Sequence, residues 1–264
     1  MERERYTLDV RGGMFSIDVT EYGAKDAEPL LWLHPSNSLM RFGYLDDLGE
    51  RYRVIAPLHP GWGESTGLEH IDDPVDMALY YYDFLDALGI ESAHVVGHSI
   101  GGMFAAEVAA LDPHRVRRVV LCNAVGLWRD DAPTLDFFAE DQAKVGRAVW
   151  KDPTGPAAMS VLPDMSDLAK LEDFMFRHIQ SMAAAAKFLW PIPDRGLRKR
   201  VHRIAAPTLL LWGRHDGLVS PVYADEFASR IRDAEVAIFE ESAHFPMIEE
   251  RERFKETVLG FLGR

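Results

Sequence analysis

Two rhythms of apolar residues alternate along this chain. Short, nearly continuous apolar runs at residues 6–10, 14–20, 29–33, 53–56, 92–96, 116–121, 207–212 and 234–239 each predict a strand. Arg11-Gly12-Gly13 joins the first two as a hairpin. Between the runs lie stretches with apolar residues at helical spacing. The clearest opens at Asp73-Pro74, an N-cap followed by a first-turn proline. It continues through Met77, Tyr81, Phe84, Leu85 and Leu88 and stops at Gly89. Further helices are predicted at 102–111, broken by Asp112-Pro113, and at 250–262. Apolar strands separated by amphipathic helices predict an α/β fold, a parallel sheet covered on both faces.

The alternation stops between Gly126 and Arg203, where helical patterns are divided by Pro133, Pro153, Pro156, Pro163, Pro191 and Pro193. The predicted organisation is therefore a core at 1–125 and 204–264, with a helical lid or cap at 126–203 inserted after the sixth strand. Such an insertion would cover the C-terminal edge of the sheet, where open α/β sheets place their clefts.

Composition narrows the function. A chain of 264 residues, 47% hydrophobic, can bury the core of one large domain. A net charge of −13 argues against nucleic acid and anionic membranes as partners and leaves a small-molecule substrate. Oligomeric state, monomer or homodimer, leaves no mark in the composition. The single cysteine, Cys122, allows no intrachain disulfide and reads as a core residue. The charged start Met1-Glu2-Arg3-Glu4-Arg5 lacks an apolar signal segment, and no run is long enough to span a bilayer, so a cytoplasmic location is expected. The ten histidines show no zinc spacing, and Gly61-x-Gly63 lacks the third glycine of a dinucleotide fingerprint; no metal or cofactor is expected.

The chemistry centres on Gly97-His98-Ser99-Ile100-Gly101, between a predicted strand and a predicted helix. A G-x-S-x-G in that setting is a nucleophile elbow: a turn so tight that residues two before and two after the serine cannot carry a Cβ. A serine hydroxyl needs a base within reach, and the base an orienting carboxylate. Trp212-Gly213-Arg214-His215-Asp216 follows the seventh strand, and Glu241-Ser242-Ala243-His244-Phe245 follows the eighth. Both motifs fall at C-terminal strand ends, the edge at which Ser99 emerges. Asp216 and His244 are thus the candidates for orienter and base; His215 is an alternative imidazole, and Asp225 and Glu241 are alternative acids.

Together with His34-Pro35-Ser36-Asn37-Ser38 and Pro60-Gly61-Trp62-Gly63-Glu64-Ser65, these motifs resemble the α/β-hydrolase superfamily across roughly residues 6–262. The resemblance implies an eight-stranded, mostly parallel sheet with an antiparallel second strand, a cap, and no cofactor. It also implies an oxyanion hole of two backbone N–H groups, from Ile100 and from the loop after the third strand. That loop usually begins His-Gly. Here it begins His34-Pro35, and since proline has no N–H the implied donor is Ser36. Leu58 replaces an aspartate common in relatives and is read as structural.

Ser99 in the elbow disfavours the dehalogenase and epoxide-hydrolase branches, whose nucleophile is aspartate. Carbon–carbon bond hydrolases of ring-cleavage pathways share the serine triad but typically place Asn before the serine and Trp after the histidine; this chain has His98 and Phe245. The expectation is a carboxylesterase acting on a small to medium apolar ester. Carbon–carbon or lactone hydrolysis is the enzymatic alternative, and a ligand receptor with little turnover is the alternative of another class. Asn37, Trp190 and Phe245 are the expected pocket residues. Phe137, Phe138, Trp150, Met165, Phe174 and Phe188 of the insertion either line that pocket or hold the insertion together. Arg195, Arg198, Lys199, Arg200 and Arg203 read as a solvated face rather than a carboxylate site, and Arg147 and Arg177 are possible anion contacts.

Overall fold

The computed structural model describes residues 3–37, 43–164, 166–192 and 194–264; Ser38, Met165 and Pro193 lie outside the described residues. The strands are β1 (Arg3–Val10), β2 (Phe15–Tyr22), β3 (Pro29–Leu33), β4 (Arg53–Pro57), β5 (Ala93–His98), β6 (Val116–Cys122), β7 (Thr208–Gly213) and β8 (Ala234–Phe239). They form one sheet in the order β1-β2-β4-β3-β5-β6-β7-β8. β2 is antiparallel to both of its neighbours, and every other pair is parallel. The central strand β5 is buried along its whole length, so it lacks the polar–apolar alternation of a strand with one wet face, and even its histidines, His94 and His98, are buried.

The helices are α1 (Tyr44–Gly49), α2 (Pro74–Ala87), α3 (Ile100–Leu111), α4 (Gln142–Val149), α5 (Pro156–Ser160), α6 (Leu168–Leu189), α7 (Val222–Ala228), α8 (Pro246–Glu249) and α9 (Arg251–Leu262). α2, α3 and α7 cover one face of the sheet with Met77, Tyr81, Phe84, Phe104 and Phe227. α1 and α9 cover the other with Leu45, Leu48, Phe254, Val258 and Phe261. Each large side chain so buried contributes roughly 1.5–3 kcal/mol relative to exposure. Asp73 caps α2 by accepting hydrogen bonds from the N–H groups of Val75 and Asp76, at 2.8 and 3.0 Å. α3 is buried from Ile100 through Ala110, and its alanines let the backbone lie close to β5 and β6.

Between β6 and β7 the described residues form helices and no strand. Of the basic residues near the end of this stretch, Arg195, Arg198, Lys199 and Arg203 are exposed, as a solvated face would be, and only Arg200 is half-buried. Arg200 grips the fully buried carboxylate of Glu107 on α3 with two bonds, at 2.7 and 2.6 Å. Arg203 donates to the Ala110 carbonyl, and Arg198 pairs with Asp194. Arg200 and Arg203 thus fasten the end of the insertion to α3. The second half of α6 is anchored by Phe188, which packs against Trp62 and Phe104. Phe174, Met175 and Phe176 in its first half stand in solvent.

Candidate active site

Ser99 sits between β5 and α3 with φ +57° and ψ −117°, a conformation L residues avoid. Its surroundings enforce that geometry. A Cβ on Gly97 would lie 2.2 Å from the Gly101 carbonyl oxygen, and one on Gly101 only 2.1 Å from that of Leu33. Ser99 N–H donates to Cys122 O at 2.9 Å, and Ser99 O accepts from Gly102 and Val125 at 3.0 and 3.2 Å. The elbow is thus tied to β6 on one side and closes the first turn of α3 on the other. The Ile100 N–H is at the first helical position, where no carbonyl of the same helix can reach it.

Asp216 and His244 meet at the ends of β7 and β8. Asp216 Oδ2 accepts from Nδ1–H of His244 at 2.7 Å. Its other oxygen accepts from the N–H groups of Leu218 and Val219, at 2.8 and 2.9 Å. With Nδ1 donating, the free lone pair of the neutral imidazole is on Nε2. Neither Nε2 of His244 nor the Ser99 hydroxyl has a hydrogen-bond partner among the described residues. Ser99, Asp216 and His244 are all buried, so a charge developing there is screened little by water. The elbow and the His244 loop are joined by the residue before the serine: His98 Nε2–H donates to the His244 carbonyl at 2.7 Å. Burial, reinforced by nearby His244, keeps the His98 pKa well below the usual histidine range and its ring neutral.

The alternative residues fall elsewhere. His215 and Asp225 are exposed, and Glu241 is exposed and ion-paired with Lys151. One residue absent from the sequence reading joins the site. Asn123, just after β6, donates from Nδ2 to Asp216 Oδ2 at 2.6 Å. Its φ of +46° belongs to the small set of conformations asparagine tolerates better than most residues. A polar residue directly following an apolar strand run was the available signal.

On the other flank runs the loop after β3. Ser36 is half-buried, and its carbonyl accepts from Trp62 Nε1–H at 2.7 Å. Asn37 Oδ1 is buried without a partner among the described residues. Phe245 is buried; it stacks on Trp150 at 4.5 Å and packs edge-on against His98 and His244. Trp190 departs from expectation. It caps the end of α6 and is 52% exposed, because the helix has turned Phe188 and Leu189 inward just before it. A recess near α3 is lined by Met103, Val125, Leu127, Phe137, Leu189 and Ile192, with Thr134, Asp194 and Arg195 supplying polar groups at its wall.

This fold and this arrangement at its C-terminal edge define a hydrolase scaffold. Residues 34–251 match the alpha/beta hydrolase fold family, and the chain belongs to it. A 2-hydroxy-6-oxononadienedioate/2-hydroxy-6-oxononatrienedioate hydrolase of Paraburkholderia phymatum is 30% identical over 233 residues, covering 81% of this chain and 77% of that protein. Among solved structures, naproxen esterase of Bacillus subtilis superposes with a TM-score of 0.76 at 20% identity, covering 99% of this chain and 92% of that one. A variant of the meta-cleavage product hydrolase of Pseudomonas fluorescens IP01 gives 0.70 at 22% identity, covering 98% and 97%. At these identities the two structures show the shared fold alone.

Proposed function

We propose that this protein is a serine hydrolase that breaks a carbon–carbon bond beside a ketone, using Ser99 as nucleophile, His244 as base and Asp216 as its orienter. The observation that carries the mechanism is the 2.7 Å hydrogen bond from His244 to Asp216, which leaves Nε2 unprotonated on the base. The substrate class is supported by the relatives. The compound in their name holds a dienol, a ketone and two carboxylates but no ester or amide. Its hydrolysis therefore has to split a bond at the ketone carbon, C6.

The electron count closes with the residues present. Moving the enol proton to C5 gives a 2,6-diketone. Ser99 Oγ adds to C6 while His244 Nε2 takes its proton, and the C6 oxyanion is received by the N–H groups of Ile100 and Ser36. The C5–C6 bond then breaks, its electron pair passing into the conjugated C2 ketone, and the imidazolium of His244 returns the proton to the leaving fragment. Water, activated by the same histidine, frees the acyl group from Ser99. Each oxyanion donor is worth about 3–4 kcal/mol of transition-state stabilisation.

Ester hydrolysis is the second reading, and a specific observation favours it. His98 and Phe245 occupy positions where ring-cleavage hydrolases typically carry Asn and Trp, and both are packed tightly around His244. The same triad serves an ester without the ketonisation step. The two readings part in one experiment: steady-state kcat/KM for a ring-fission dienol, followed by loss of its long-wavelength absorbance, against p-nitrophenyl butyrate. Faster turnover of the dienol, abolished by Ser99→Ala, supports carbon–carbon hydrolysis. Turnover of the ester alone leaves the esterase, and turnover of neither removes the enzymatic account.

A further inference from the structure

The loop after β3 raises a chemical question. A proline stands where a glycine is usual, yet the next N–H has to face the oxyanion. We propose that the buried pair His34 and His59, backed by Tyr81, are positioning residues that aim the Ser36 N–H. The inference rests on the reading above, in which that N–H is an oxyanion donor.

His59 N–H donates to Nε2 of His34 at 3.0 Å. Nε2 is therefore unprotonated, and the neutral ring carries its proton on Nδ1. That Nδ1–H donates to the carbonyl of Pro35 at 2.6 Å. The Pro35–Ser36 peptide is trans, so its N–H points opposite to its C=O. Holding the Pro35 oxygen toward the imidazole thus turns the Ser36 N–H away from it, out of the packed interior. The loop runs against the elbow: a Cβ on Gly101 would meet the carbonyl oxygens of Leu33 and His34 at 2.1 and 2.6 Å. Proline fits because its own N–H is not needed and its φ is fixed.

His59 holds the tautomer in place. Its ring stacks on His34 with centroids 3.6 Å apart. Its Nε2–H donates to the His34 carbonyl at 2.9 Å, and its Nδ1 accepts from the hydroxyl of Tyr81. Trp62 and Phe104 pack edge-on against the pair and exclude water. Every ring nitrogen of the pair has a partner, so no alternative tautomer leaves the network intact. Trp62 clamps the far side of the donor through the Ser36 carbonyl.

The test uses variants that keep volume but change donors. His34→Phe keeps a ring and loses the bond to Pro35; His34→Asn keeps a donor near the Nδ1 position. Tyr81→Phe removes only the hydroxyl behind His59. With p-nitrophenyl butyrate or the dienol, whichever the wild type turns over, His34→Phe is expected to lower kcat by about 10²–10³-fold with KM nearly unchanged. The affinity of benzeneboronic acid, which forms a tetrahedral adduct on the serine, is expected to fall in parallel. His34→Asn recovers at least tenfold of the loss, and Tyr81→Phe shows a several-fold loss of the same kind. If His34→Phe does not fold, Tyr81→Phe alone decides. A folded His34→Phe or Tyr81→Phe with wild-type kcat and boronate affinity overturns the assignment, as does a loss confined to KM. A wild type inert toward both substrates instead overturns the functional reading, and the assignment falls with it.

Discussion

The backbone N–H of His244 donates to the carbonyl of Val149 at 3.0 Å, so the proposed base is held by the insertion between β6 and β7. One residue earlier, the Ala148 carbonyl accepts from Gly217, next to Asp216, at 2.8 Å. The end of α4 therefore braces the Asp216 loop and the His244 loop together. Glu249 on α8 completes the brace by accepting from the N–H groups of Lys151 and Ala243, both at 2.8 Å.

Glu249→Ala leaves two backbone donors without their acceptor and frees both ends of this strut. The expected result is a kcat loss of about tenfold, the worth of one charged hydrogen bond in geometry at the base. KM should change little. Lys151→Ala breaks only the exposed ion pair to Glu241 and should leave both stability and kcat within experimental error. Steady-state kinetics with thermal melts decide: a Glu249→Ala protein with lower Tm but wild-type kcat would show that the brace serves folding alone.

Ser99→Gly is expected to be inactive and more stable than wild type. The serine is held at φ +57°, and strained positions of this kind cost about 1–3 kcal/mol, which glycine avoids. Ser99→Ala is equally inactive but keeps the Cβ and the strain, so its urea midpoint should stay near wild type. Equal midpoints for the two variants would argue that the elbow carries no stored strain.

Asn123→Ala is expected to lower kcat by roughly 10–100-fold, the cost of removing a hydrogen bond to a buried charge. Asn123→Asp places a second carboxyl 2.6 Å from Asp216 Oδ2. Two charges at that distance cannot both persist, so the pair would share a proton and Asp216 would orient His244 less well. The variant should fall below Asn123→Ala in activity at neutral pH. Equal activity of both variants with wild type would remove Asn123 from the site.

These predictions also mark where sequence reading reached and where it stopped. β3 and β8 begin and end with their apolar runs, and Ser99, Asp216 and His244 stand out because each follows such a run. Asn123 follows one too, yet its partner becomes evident only once β6 is seen to lie between β5 and β7. Val149 and Ala148 act through backbone carbonyls, which have no residue signature. α1 escaped because six residues carry too little periodicity; tertiary contacts hold it, through buried Leu45 and Leu48 and the ion pair of Asp47 with Arg251. Trp190 was expected in the pocket because aromatic character alone does not fix helical phase.

The buried histidines make stability depend on acid in a calculable direction. Burial lowers the His34 pKa to about 3, and holds those of His59 and His98 well below the usual 6.5. Below pH 6.5 the unfolded chain protonates each of them while the folded chain does not. The unfolded state then binds more protons, so stability falls as pH falls, by about 1.4 kcal/mol per pH unit for each such histidine. The loss continues down to the folded pKa. His98→Asn removes one of the three, and comparison with wild type cancels every group the two proteins share. The variant loses its bond to the His244 carbonyl geometry and should be the less stable at pH 7. Its disadvantage should shrink by about 1.4 kcal/mol for each unit from pH 6 to pH 4, read from urea midpoints at constant ionic strength. Stability curves for the two proteins that stay parallel over that range would mean that His98 is protonated within the fold, and a neutral ring beside the base would have to be abandoned.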